Sequence, residues 1–76
     1  MDHTPPPFPP LSPRERQCLI HLAQGLRVNA MAEALGTDPK TVEKQIASAR
    51  SKLGAATREQ AVAIAISNNL LMNEDT

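Results

Sequence analysis

The side chains best suited to nucleophilic, acid–base or metal chemistry in this sequence are His3, Cys18 and His21. Nucleophilic catalysis needs a base within hydrogen-bond reach of a Ser or Cys and an acidic group that orients the base. Neither histidine has an Asp or Glu placed to orient it, no Ser or Cys sits in a strained elbow, and both histidines read as surface residues. Cys18 and His21 stand three residues apart, but two ligands make no metal site. A single cysteine forms no disulfide within the chain, fits a reduced compartment, and here reads as a small core residue. These residues point away from an enzyme, and no cofactor is implied.

The chemistry that remains is electrostatic. The formal net charge is zero, with eight Lys and Arg against eight Asp and Glu, which alone argues against a polyanionic partner. The distribution reverses that reading. Asp2, Glu74 and Asp75 lie at the ends of the chain, leaving residues 11–72 with eight positive and five negative side chains. Between Lys40 and Arg58 stand Lys40, Lys44, Arg50, Lys52 and Arg58 against Glu43 alone. One segment therefore offers a basic face.

The elements that position this face are helices. Residues 1–10 hold five of the seven prolines and read as an extended or disordered tail or linker, since proline has no N–H to give to a helix or a ladder. Residues 11–72 form one domain, and 73–76 an acidic C-terminal tail. Ser12-Pro13-Arg14-Glu15 is a capping box with proline in the first turn, starting a helix that runs to about Ala23 before Gly25, with Leu19, Leu22 and Ala23 on its inner face. A short second helix, about Asn29 to Leu35, stops at Gly36 and turns Met31, Ala32 and Leu35 inward. Asp38-Pro39 starts the third, in which Val42, Ile46, Ala49 and Leu53 recur as one buried stripe, and Gly54 ends it. Thr57 with Gln60 is a second capping box, and the fourth helix runs to about Ser67, after which Leu70 and Leu71 fold back. The only aromatic residue is Phe8, so the core is thin and aliphatic. No apolar run reaches the roughly 18 residues a membrane span needs, and no secretory leader is evident; a cytoplasmic location is expected.

Only Gly36, Thr37 and Asp38 separate helices two and three, so the pair turns sharply, and the spacing of Ala32, Gly36 and Val42 is that of a helix-turn-helix. The stretches Leu11-Ser12-Pro13-Arg14-Glu15, Ala32-Glu33-Ala34-Leu35-Gly36, Lys40-Thr41-Val42, Lys52-Leu53-Gly54, and Arg58 with Gln60-Ala61-Val62 resemble the LuxR-type (LuxR/GerE/FixJ-like) domain, in its order and spacing, over residues 11–71. That resemblance implies an all-α, four-helix domain, found at the C-terminus of quorum-sensing receptors or response regulators or standing alone. It implies sequence-specific binding of double-stranded DNA for transcription regulation, with helix three in the major groove. The proline-rich start then fits a severed or vestigial interdomain linker.

By position, the resemblance places base-reading side chains at Glu43, Lys44 and Ala47, and phosphate-facing ones at Thr41, Arg50, Ser51 and Lys52, with Lys40 in the basic run. Glu43 and Ala47 depart from the basic or long polar residues common there. Glu43 accepts from cytosine N4, or instead pairs with Lys40 or Lys44 along the helix. Arg27 replaces the usual Ser or Thr cap of helix two, Thr37 an apolar turn residue, Gln45 a frequent His, and Ala49 and Ala55 bulkier apolar residues, so low stability is expected. Helix four leaves Ala63, Ile64 and Ser67 outward, the expected dimer contact for a homodimer or a heterodimer with a related LuxR-type regulator. The alternative is an antagonist that keeps the fold, has lost DNA readout, and binds a related regulator through helix four.

Overall fold

The computed structural model describes residues 8–71. Residues 1–7 of the expected proline-rich tail, Met72 and the acidic end 73–76 lie outside the described residues. The described chain is all-α, with no strand among the described residues: α1 Pro13–Ala23, α2 Val28–Leu35, α3 Pro39–Leu53 and α4 Arg58–Ser67.

The helix starts follow from local chemistry. The Ser12 hydroxyl accepts from the Glu15 N–H at 3.1 Å and the Glu15 carboxylate takes the Ser12 N–H at 2.8 Å, completing the capping box of α1. Asp38 accepts from the Thr41 N–H at 2.8 Å and Thr57 from the Gln60 N–H at 3.0 Å. At α4 only half of the expected box forms, because the Gln60 side chain accepts from Ala56 N–H at 2.6 Å, one residue before the cap. Arg27 has the extended backbone of a cap (φ −90, ψ 165) but makes no side-chain cap bond. The missing acceptor leaves the first N–H groups of α2 without a side-chain partner.

All four helices close alike, through a bond from the residue after a left-handed position back to the last turn: Leu26 to His21, Thr37 to Ala32, Ala55 to Arg50 and Leu70 to Ala65, at 2.8–3.0 Å. Gly36 carries the sharp turn into α3 at φ 69, a region L side chains enter only with strain. Asn69 serves the same purpose after α4 at φ 57.

α3 packs against each of the other three helices, and α1 also packs against α4. The buried stripe of α3 divides between two clusters: Val42 and Ile46 join Cys18, Met31 and Ala32, whereas Ala49 and Leu53 join Leu19, Ala61 and Ala65. Leu22 packs against both, and Leu35 against the first. Ala23, expected inward, is exposed, at the lip of a shallow groove shared with Leu22, Arg58, Glu59 and Val62. It lies near that face by helical angle but is the last residue of α1, where the chain leaves the helix toward the left-handed Gly25. Phe8 packs against the second cluster, as do Leu70 and Leu71, and the Pro10 carbonyl accepts from Lys52 at 3.2 Å. Two contacts thus carry the packed unit back before Leu11.

The buried charged side chain of this core is Glu15, 4% exposed. Its Oε1 accepts from Lys52 Nζ at 2.8 Å and its Oε2 from the Ser48 hydroxyl. Burial alone would raise its pKa; the hydrogen bonds from Lys52, Ser48 and the Ser12 backbone, with the Lys52 charge, outweigh burial and bring it from 4.5 down to about 2. A carboxyl held below its unfolded value contributes stability that is present above the unfolded pKa and lost as pH falls through the folded one. The domain should therefore lose stability from about pH 5 down to about pH 2, by about 3 kcal/mol in all. Acid titration of the melting temperature checks this, and Glu15→Gln should be both less stable at pH 7 and flatter in that titration. Arg27→Ser should act in the opposite direction, supplying the absent cap and adding about 1 kcal/mol, a rise of about 4–8 °C in Tm; an unchanged or lower Tm would refute the account of α2.

Candidate nucleic-acid interface

α3 is anchored on one side and bare on the other. Opposite Val42, Ile46, Ala49 and Leu53 run Lys40, Glu43, Lys44, Ala47 and Ser51, all exposed, at the three- and four-residue steps of one helix face. Asp38 caps its start, and its carboxyl is held below the ordinary range chiefly by the Thr41 N–H. The turn at Gly36 through Asp38 sets α3 across the end of α2, and Arg14 braces that corner by donating to the Leu35 carbonyl at 2.9 Å.

The expected site residues separate by surroundings. Lys40, Glu43, Lys44, Ala47 and Ser51 share the exposed stripe, and Thr41 is half-buried at its edge. Arg50 and Lys52 point elsewhere. Arg50 Nη2 donates to the Ala56 carbonyl at 3.0 Å, closing the α3–α4 connection, while Lys52 is engaged with Glu15 and Pro10. Glu43 pairs neither with Lys40 nor with Lys44: its Oε1 accepts from Arg58 Nη2 at 3.0 Å, a contact that reaches from α3 to the start of α4. Among the described residues, Lys40 and Lys44 thus remain as the cations of the stripe without an intramolecular partner.

On α4, Ala63 and Ser67 are exposed as expected. Ile64 is half-buried against the second cluster, and the outward isoleucine is Ile66, 56% exposed. The helical angle carried the signal: with Ala61 and Ala65 as the buried centre, Val62 and Ile64 flank it equally at about 80°, and Ile66 stands about 120° away, at about 100° per residue. The Glu43–Arg58 pair had no such signal, since it joins residues on two helices separated by the turn at Gly54.

Among the described residues, the remaining side chains suited to nucleophilic or acid–base chemistry are Cys18 and His21. Cys18 is buried and burial pushes its thiol pKa up, so it is protonated at neutral pH. His21, expected at the surface, is half-buried, with its Nδ1 unpartnered. No three His, Cys, Asp or Glu among the described residues are grouped to hold a metal ion, and no helix among them is long and apolar enough to cross a membrane.

Comparison with known proteins places this arrangement. The chain is 37% identical over 71 residues to the transcriptional activator protein BjaR1 of Bradyrhizobium diazoefficiens, covering 93% of this chain and 29% of the relative. It is 38% identical over 61 residues to the transcriptional regulatory protein YdfI of Bacillus subtilis, covering 80% of this chain and 29% of the relative. Among solved structures, the VqmA dimer of Vibrio cholerae, described in the absence of target DNA as a LuxR-type receptor, superposes with a TM-score of 0.74 at 33% identity, covering 80% of this chain and 27% of that one. The chain thus spans under a third of the length of the curated relatives it matches. Residues 9–65 match the family described as bacterial regulatory proteins, luxR family. With four helices, an α2–α3 corner and a bare α3 face already in view, this match identifies the chain as a helix-turn-helix domain of the luxR family of transcription regulators.

Proposed function

We propose that this domain binds double-stranded DNA sequence-specifically through α3 and regulates transcription as a pair of copies. The observation that carries the reading is the exposed stripe of α3, polar and partly cationic, standing directly opposite the stripe that anchors the helix. An α-helix presented in this way fits the major groove. Lys44 is the base reader, suited to guanine O6 and N7; Lys40, Thr41 and Ser51 approach phosphates, and Ala47 leaves room or meets a thymine methyl. Arg50 and Lys52 contribute by holding α3 in place, through bonds to the α3–α4 connection and to Glu15. The dimer reading rests on α4, where Ala63, Ile66 and Ser67 form an outward strip, and on the VqmA structure, described as a dimer. Two copies would read two half-sites.

Selection of preferred sites from a random duplex pool, followed by titration at several salt concentrations, tests this reading. Lys44→Ala should cost about 1–3 kcal/mol on the preferred site and flatten sequence preference, whereas Lys40→Ala should weaken all sequences alike and lower the salt slope by about one. Undetectable duplex binding at low salt would overturn the proposal. For the pair, Ile66→Lys should abolish association in sedimentation without loss of helicity; a wild-type chain that stays monomeric at high concentration, with and without duplex, would remove the dimer from it.

A further inference from the structure

Glu43 is the acidic member of the exposed α3 stripe, 51% exposed at its side chain, and a carboxylate there is repelled by phosphates on either side of a groove. Arg58 is the other half of the anomaly. It opens α4, where the helix dipole disfavours a cation, and instead of extending into solvent its guanidinium turns onto α3 and meets Glu43 at 3.0 Å. Each charge is badly placed alone and well placed with the other. On the stripe itself neither Lys40 nor Lys44 is the partner, so the pairing leaves both lysines unspent.

We infer that Arg58 is a positioning residue for DNA recognition: it holds and neutralises the Glu43 carboxylate, so that Lys40 and Lys44 meet the duplex without an opposing charge beside them. This rests on the DNA reading above and adds to it a residue outside α3 that governs what α3 presents. An exposed pair of this kind adds little to folding, so its effect should appear in binding rather than in stability. Without Arg58, Glu43 is free to swing toward the phosphates or toward a cytosine N4 donor, so both overall affinity and base preference should move.

A double-mutant cycle on the chain as it stands tests this, using wild type, Arg58→Gln, Glu43→Gln and the double variant, titrated with one short random-sequence duplex at two salt concentrations. Arg58→Gln should weaken binding roughly three- to tenfold while Glu43 is present, and by less than about twofold in the Glu43→Gln background. Its salt slope should match wild type, because no phosphate contact is removed, and Glu43→Gln should bind at least as tightly as wild type. Arg58→Lys should restore most of the affinity, which separates charge from packing, and circular dichroism of each variant should overlay wild type. An equal loss in both backgrounds with a reduced salt slope would assign Arg58 to phosphate directly and overturn the inference while leaving DNA binding intact. Equal affinities throughout would also overturn it. Should Arg58→Gln fail to fold, Glu43→Gln still decides, since weaker duplex binding by that variant would make Glu43 a favourable contact rather than a restrained one. Absence of duplex binding by all proteins at low salt would overturn the DNA reading, and this inference with it.

Discussion

A carboxylate inside a small domain is tolerable only where donors surround it, and the structure is arranged around satisfying Glu15. The group begins as a local device, the reciprocal half of the α1 cap, and ends as a tertiary one through Ser48 and Lys52 of α3. Because Ser48 and Lys52 lie one turn apart on a single face, they fix the rotation of α3 about its own axis as well as its distance from α1. That rotation decides which residues look outward. With Ser48 and Lys52 bound toward α1, and Val42, Ile46, Ala49 and Leu53 buried, the face left to solvent is Lys40, Glu43, Lys44, Ala47 and Ser51. A domain of this size buries only about 60% of the surface its unfolded chain exposes, so apolar packing alone specifies orientation loosely, and a directional polar contact supplies what is missing.

The two half-cores make the same point from the apolar side. Cys18 and Leu19 are neighbours in α1 yet feed different clusters, one with α2 and one with α4. α3 crosses both, so α2 and α4 can each be positioned by α3 without needing each other. Arg14 at the end of α2 and Arg50 beneath the α3–α4 connection then tie the corners by bonding carbonyls that chain reversal leaves unpaired. Cationic side chains are being used here as donors to backbone, a structural use that composition does not distinguish from a ligand-binding one.

That ambiguity explains which features were legible in the sequence. Helix ends were, because caps and left-handed closures are written within a few residues: Ser12 with Glu15, Asp38 with Pro39, Gly36 and Gly54. The buried stripe of α3 was legible because its period is that of a helix in contact on one side. The fate of each charge was not. Arg50 and Lys52 have the residue types and positions of phosphate contacts, and only the approach of Ala56, Pro10 and Glu15 in space turns them inward. Glu43 had two basic neighbours at helical spacing and found its partner fifteen residues away, on another helix. Ile64 and Ile66 were separable by angle, but in an almost wholly apolar helix the eye has no polar residues to fix the phase.

The division of charge has a consequence for how such a domain would hold DNA. Affinity for duplex rises with the number of phosphates neutralised, and a protein making six to ten such contacts loses roughly 10³–10⁵ in affinity when salt rises about fourfold. With Arg14, Arg50, Lys52 and Arg58 engaged inside the domain, the α3 stripe of one copy offers Lys40 to phosphate beside the base-reading Lys44, so through that stripe the same change in salt would cost a single copy only about three- to fourfold. Weak salt dependence is the mark of weak electrostatic attraction, and one copy alone would sit loosely on any sequence. Two copies held together sum their contacts while losing translational freedom once, which makes the second half-site an intramolecular event. On the proposed reading, pairing through α4 and reading through α3 would be parts of one requirement: the fewer cations the fold can spare for phosphate, the more its hold on DNA would depend on a second copy.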